Sequence, residues 1–162
     1  MEIRPARPEL EEGRVFARFV DEIAEHDGRI VGMICGYMEN GEHDGEDEAL
    51  MIAPGNRLRR RLGLAFMRLR WRMIGYPFTG EFYVEFLIVD SALRGRGIGR
   101  LLMDEFEAKA RAAGASRLTL DVAAKNTRGQ RFYERYGMAP VPDWPQSRLG
   151  QRVVLRMTKT IG

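Results

Sequence analysis

The stretch Leu87-Ile-Val-Asp90-Ser-Ala-Leu-Arg94-Gly95-Arg96-Gly97-Ile98-Gly99-Arg100-Leu-Leu-Met103 decides how this chain is read. Ahead of it, Glu81 to Asp90 carries Phe82, Tyr83, Val84, Phe86, Leu87, Ile88 and Val89, which has the length and residue types of a buried strand. Behind it, Ile98, Leu101, Leu102, Phe106 and Ala110 recur at helical spacing until Gly114 stops them. Three alternating glycines between strand and helix expose consecutive backbone N–H groups where the helix dipole is positive, a setting that binds phosphate or pyrophosphate. Arg94, Arg96 and Arg100 add cationic donors. A Walker loop needs Gly-Lys-Ser/Thr at its end, whereas Gly99 is followed by Arg100-Leu101. A dinucleotide fingerprint needs a third glycine where Arg100 stands, and a doubly wound fold longer than this chain. What remains is R-x-x-G-x-G, matched by Arg94, Gly97 and Gly99.

Outward from this turn the elements follow from periodicity and punctuation. Leu118 to Ala123 is a further strand, and Asn126 caps a helix running to about Tyr136, with Gly137 as its C-terminal signal. Val141 to Pro145 is a rigid proline loop, followed by a last strand from Gln151 to Thr160. Upstream, Glu2 to Arg7 is a short strand, Pro8 to Gly13 a brief polar segment, and Ile23 to His26 the end of a second strand. Asp27-Gly28 is a hairpin turn, since glycine accepts the positive φ such turns need. It leads into Arg29 to Met38, apolar on both faces and therefore a central strand. Between that strand and Glu81 lie an acidic loop, Glu39 to Glu48, and an amphipathic helix, Arg57 to Ile74. The helix has an apolar stripe of Leu58, Leu62, Ala65, Phe66, Leu69 and Met73. With no internal repeat and no linker, the expectation is a single α+β domain over residues 1–162, carrying an inserted loop and helix at about 39–80.

Composition bounds the function. The 162 residues include 26 basic and 23 acidic side chains, a formal charge of +3, 44% apolar residues and one cysteine, which suits one compact globular domain. A lone cysteine rules out an intramolecular disulfide scaffold. No run approaches the ~20 apolar residues of a membrane span, and Met-Glu-Ile-Arg-Pro lacks a signal core. The expectation is a cytoplasmic protein with no membrane partner. Arginine supplies 23 of the 26 bases, and Lys109, Lys125 and Lys159 the rest. Six acids and no base stand between Glu39 and Glu48, and seven arginines and no acid between Pro54 and Gly75. That arginine-rich helix interleaves only Phe66 and Trp71, and the neighbouring acids would repel phosphates, so a solvated helix face is preferred and no nucleic-acid partner is expected. His26 and His43 have no metal-spaced partner, so no metal is expected. Cys35, in an apolar strand, reads as a small buried hydrophobe. Trp144, between prolines, reads as the filling of its own loop.

The glycine turn resembles motif A of the GNAT superfamily, the acetyl-CoA-dependent N-acyltransferases. The likeness continues through Leu118-Thr-Leu-Asp-Val122, Asn126 and Arg131-Phe-Tyr133-Glu-Arg-Tyr-Gly137-Met138, which resemble motif B. It covers Phe82 to Met138 closely and Arg29 to Met38 more loosely. It implies an α+β fold with a mixed, mainly antiparallel central sheet flanked by helices and splayed between the fourth and fifth strands, with acetyl-CoA as cosubstrate. By resemblance, backbone groups of Leu87 and Val89 would hold the pantetheine arm, and the amides of Arg94, Gly95, Arg96, Gly97, Ile98, Gly99 and Arg100 the pyrophosphate. Asn126 would reach the pantetheine or acceptor side, and Tyr133 would sit near the thioester sulfur.

Acyl transfer from a thioester to an amine needs an unprotonated amine, a stabilised oxyanion and a proton for the departing thiolate. An alkylamine titrates near ~10.4, so a base or water chain must take its proton near neutral pH. Glu85 and Glu81 are the candidate bases, expected to share a strand face by alternation, with Glu85 closer to the splay point. Tyr133 is the candidate acid, and a backbone N–H of Leu87-Ile88-Val89 the candidate oxyanion donor. The expected acceptor is a primary amine of a small molecule or peptide attacking directly in a ternary complex; a homodimer is left open. A non-catalytic acyl-CoA-binding module and an anionic-partner binder acting through the arginine-rich helix are the alternatives. The family usually places two helices between its first two strands, where this chain has only about 15 residues. The inserted helix 57–74 is expected to replace that cover.

Overall fold

A computed structural model describes residues 1–6, 21–38, 65, 69, 80–142 and 153–162. Its elements are β1 (Glu2–Pro5), β2 (Glu22–His26), β3 (Arg29–Met38), β4 (Glu81–Val89), a 3-10 turn (Ser91–Leu93), α1 (Ile98–Ala112), β5 (Arg117–Ala123), α2 (Thr127–Tyr136), β6 (Ala139–Pro140) and β7 (Val154–Thr160). The strands form a sheet of order β1-β2-β3-β4-β5-β7-β6. β1 to β4 pair antiparallel in sequence, and β4 and β5 pair parallel. The fold is thus mixed α+β with a mainly antiparallel sheet. No helix among the described residues is long and apolar enough to cross a membrane.

The chain divides into two compact units, one of residues 1–39, 80–120 and 158–162, the other of residues 40–79 and 121–157. In the first, Asp27 and Gly28 both take positive φ, 51° and 71°, and turn β2 back along β3. Ile98, Leu102, Phe106 and Ala110 fall on one face of α1 and are buried where the helix packs over β2, β3 and β4. The ring of Phe106 meets Phe82 edge to face at 5.0 Å. Glu107, buried on the same helix, pairs with both Arg111 and Lys159 and so ties α1 to the end of β7. Lys109 pairs with Asp21, whose other oxygen accepts the Gly36 N–H at 2.9 Å.

In the second unit, the Asn126 carboxamide oxygen accepts from Gly129 N at 2.9 Å, the expected cap of α2. The helix ends at Gly137 in the left-handed region (φ 97°), which lets the Gly137 and Met138 amides close onto the last-turn carbonyls. The buried Arg156 guanidinium on β7 grips the Asp121 carboxylate of β5 through Nε–Oδ1 at 2.8 Å and Nη2–Oδ2 at 2.6 Å.

Most of the expected elements are present, with differences at their ends. The first strand stops at Pro5 instead of Arg7. The two-residue strand β6 was not foreseen, because Ala139-Pro140 carries no strand signature and is held by the Val141 N–H to Arg156 O bond. Of the expected helix 57–74, Ala65 and Leu69 are described; both are helical and exposed. The remainder of that helix, the acidic loop 39–48 with His43, the polar segment 8–13 and Trp144 lie outside the described residues.

Candidate active site

Along β4 the ladder with β5 registers Glu81 to Val84 against Arg117 to Leu120, while β4 runs on to Val89 beside β3. The β3 register pairs Cys35 with Phe86 and Gly36 with Val84. Glu85 is therefore the extra residue of a β-bulge, placed one residue after the ladder with β5 ends. Beyond the bulge, Asp90 N donates to Val31 O at 2.8 Å. Backbone groups alternate along a strand, so those of Asp90 and Ile88 point toward β3 and those of Leu87 and Val89 point away from it, along the edge that has left β5. This is the splay expected between the fourth and fifth strands.

The turn that follows is shaped by its glycines. The Asp90 carboxylate accepts from Ala92 N at 2.9 Å and caps the 3-10 turn. Gly95 and Gly97 take φ of 83° and 84°, a region that costs an L-residue about 1–2 kcal/mol, and a Cβ at either would meet only open space. Glycine is needed there for backbone conformation. Gly97 caps α1, and its carbonyl accepts from Arg100 N and Leu101 N at 2.9 and 3.1 Å. The earlier amides of Ile98 and Gly99 precede these first intrahelical bonds at the positive end of a 15-residue helix. Gly99 itself is helical, and Ile98 is buried beneath the turn. An open turn of two left-handed glycines, helix-start amides and the exposed Arg96 is a donor set that fits a diphosphate.

Arg94, expected as a cationic donor to pyrophosphate, is exposed and turns its Nε back to donate to Val89 O at 3.2 Å, bracing the turn against the end of β4. Glu81 and Glu85 are the two candidate bases on β4, with Glu85 expected closer to the splay point. Glu81 is 4% exposed and held by Thr119 Oγ1 at 2.8 Å and Arg117 Nη1 at 3.1 Å, whereas Glu85 sits at the bulge, half-buried. Neither arrangement was readable locally, since each depends on a partner distant in sequence or on a side chain folding back. Arg100, exposed, lies 3.8 Å from Asp104 one turn on. Ile88 is half exposed at the freed end of the strand. Cys35 is buried as expected; burial pushes its thiol well above the ordinary range, and the Glu85 charge raises it further. His26 is exposed beside Asp27.

In the second unit, Tyr133 is half-buried on α2, its ring edge-on to Phe132 at 5.1 Å. Burial pushes its phenol up to about 12, so it keeps its proton throughout the physiological range. Asn126 uses its carboxamide oxygen as the helix cap. The cap also explains Gly129: a Cβ there would lie 2.6 Å from Asn126 Nδ2.

Comparison with known proteins places this geometry. The model of the acetyltransferase (GNAT) family matches residues 4–138. A mycothiol acetyltransferase from Beutenbergia cavernae is 39% identical over 77 residues, 48% of this chain and 25% of that protein, so the chain spans about a quarter of the length of this curated relative. Among solved structures, Naa20 of Chaetomium thermophilum in complex with a bisubstrate analogue superposes with a TM-score of 0.60 at 20% identity, covering 99% of this chain and 87% of that one. The PaiA N-acetyltransferase of Thermoplasma acidophilum in complex with coenzyme A gives 0.53 at 16% identity, covering 86% and 58%. At these identities the structures speak for the fold, and the family match spans most of the sequence, including the turn at Arg94 to Arg100. The chain belongs to the acetyltransferase (GNAT) family.

Proposed function

We propose that this protein is an N-acetyltransferase that moves the acetyl group of acetyl-CoA to a primary amine of a small molecule or peptide, by direct attack in a ternary complex. The observation that carries the reading is the continuous donor edge of one strand and turn. The Leu87 backbone groups and the Val89 N–H line the freed side of β4, while the Val89 carbonyl holds Arg94, and the strand feeds directly into left-handed glycines at the start of α1. The edge suits an extended amide-bearing arm laid alongside the strand, and the turn suits the diphosphate at the end of that arm.

Acetyl-CoA supplies an activated thioester. The chain's own groups supply the proton traffic. Glu85, set at the bulge one residue past the end of the ladder with β5 and less deeply buried than Glu81, is the residue assigned to accept the amine proton, directly or through water. Tyr133 is assigned to protonate the leaving thiolate, a role its retained proton supports. A backbone N–H on the Leu87-Ile88-Val89 segment is assigned to the thioester carbonyl.

The test is a thiol-release assay with acetyl-CoA over amines, amino acids, polyamines, aminoglycosides and peptide N-termini. The partial match to a mycothiol acetyltransferase adds a mycothiol-type acceptor to that panel. Acceptor-dependent release is expected. Acetyl-CoA binding with no release for any acceptor would overturn catalysis in favour of a binding module, and salt-sensitive nucleic-acid binding without turnover would favour the arginine-rich helix. Charge reversal at the exposed Arg96 is expected to weaken acetyl-CoA binding about 10-fold or more, worth ~1.4 kcal/mol, without lowering the melting temperature. Calorimetric titration and a thermal melt of Arg96→Glu check both halves. Unchanged affinity would remove Arg96 from the diphosphate site.

A further inference from the structure

Gly36 on β3 sits opposite the β4 bulge, and its lack of a side chain is a steric requirement. A Cβ at this position would lie 1.9 Å from the Tyr83 carbonyl oxygen, 2.9 Å from the Tyr83 carbonyl carbon and 2.6 Å from Phe106 Cζ. A side-chain tip such as Phe106 can move aside, whereas the Tyr83 carbonyl belongs to the strand itself. The φ of Gly36 is not among the positive ones, so the need for glycine is one of space. From the other side, the Gly36 N–H is held by Asp21 Oδ2 at 2.9 Å, and Asp21 is itself paired with Lys109 of α1. Gly36 is thus held by the residue just before β2 and, through it, by α1, while β4 presses its backbone against it.

The register explains why β4 comes so close. Val84 pairs with Gly36 and Phe86 with Cys35, so the insertion of Glu85 is absorbed between two adjacent β3 residues. A bulge bends and further twists its strand. The ladder of β4 with β5 ends at Val84 and Leu120, immediately before the bulged residue. We propose that Gly36 is a positioning residue for the acetyl-CoA site: by leaving room for the Tyr83 backbone it lets β4 carry the bulge, and the bulge turns the edge of Leu87 and Val89 away from β5 and into the donor's path. This rests on the reading of that edge as the pantetheine-binding edge.

The same register supplies the test. Deleting Glu85 brings Val84 next to Phe86 and leaves every other side chain of β4 on its present face, because Gly36 and Cys35 are already consecutive partners. Gly36→Ala is expected to lower the melting temperature by about 10 °C in the otherwise native chain, as overpacking against backbone does, and by less than about 3 °C in the Glu85-deleted chain, where the ladder is regular. The doubly altered protein is then well folded, yet binds coenzyme A at least about 10-fold more weakly than the native chain by calorimetry, because its β4 edge no longer turns out. Stability and affinity move in opposite directions, which simple core packing would not produce. The thermal cycle needs no turnover, and coenzyme A is the only ligand used, so a failure to acetylate any amine leaves this result readable. Three outcomes overturn the proposal: alanine costing the same in both backgrounds, Phe106→Leu relieving the loss as well as the deletion does, or the doubly altered protein binding coenzyme A within about 3-fold of native affinity.

Discussion

Replacing Tyr133 by phenylalanine is expected to lower kcat by about 100-fold or more, while the dissociation constant for acetyl-CoA changes by less than about 3-fold. Only one oxygen is lost, and the ring that packs edge-on to Phe132 is retained, so helix α2 and its cap should be undisturbed. The loss falls on the step that returns a proton to sulfur, and therefore on kcat and kcat/KM together. The pH dependence sharpens the test. Burial disfavours the phenolate and lifts the group from about 10 to about 12, so the native enzyme has no reason to lose its acid as pH rises through 10, while the acceptor amine becomes progressively deprotonated. The native kcat/KM is accordingly expected to rise and then level with pH, with no descending limb from Tyr133 below about pH 11. The linked stability has the same sign. The neutral phenol is favoured in the folded state, so its contribution is complete below pH ~10 and is lost as pH rises through the folded value. Stability at neutral pH is not involved. A phenylalanine variant with native kcat would exclude Tyr133 as the acid.

The parts of this molecule that depend on neighbouring residues were legible in the sequence. Asp27-Gly28 dictated its turn, Arg29 to Met38 its central strand, and Asn126 with Gly137 both ends of α2. The glycine turn was legible for the same reason: the left-handed φ of Gly95 and Gly97 is a property of those positions alone. What could not be read depends on pairs far apart in the chain. The bulge at Glu85 needs the empty space at Gly36, and alternation counted along β4 alone puts Glu81 and Glu85 on one face without showing that Glu81 is the buried one. Arg94 stands beside the glycines as an expected cationic donor; that its Nε turns back to Val89 O is decided by the shape of the folded turn. Asp121 and Arg156 stand 35 residues apart, and only the folded arrangement of β5 and β7 brings them together.

That pair carries the second large effect. Arg156→Met is expected to destabilise the protein by about 3–5 kcal/mol, lowering the melting temperature by about 10–15 °C for a chain of this length. Arg156 and Asp121 side chains are 1% and 3% exposed and meet through two parallel hydrogen bonds of 2.8 and 2.6 Å. The arginine variant would leave a carboxylate with almost no access to water and without its bidentate partner. The cost comes chiefly from burying that carboxylate without its bidentate cation, more than from the attraction that is lost. For this reason the double variant Arg156→Met with Asp121→Leu is expected to recover most of the stability, since two apolar side chains in the same space have no charge to desolvate. The backbone bond from Val141 N to Arg156 O at 2.9 Å survives all of these changes, so β6 should keep its place beside β7. Thermal denaturation of the two single variants and the double variant measures the coupling directly. If the double variant melts no higher than the worse single one, the pair's role is shape and packing around Arg156; if it returns most of the way to the native value, the buried charge accounts for the loss.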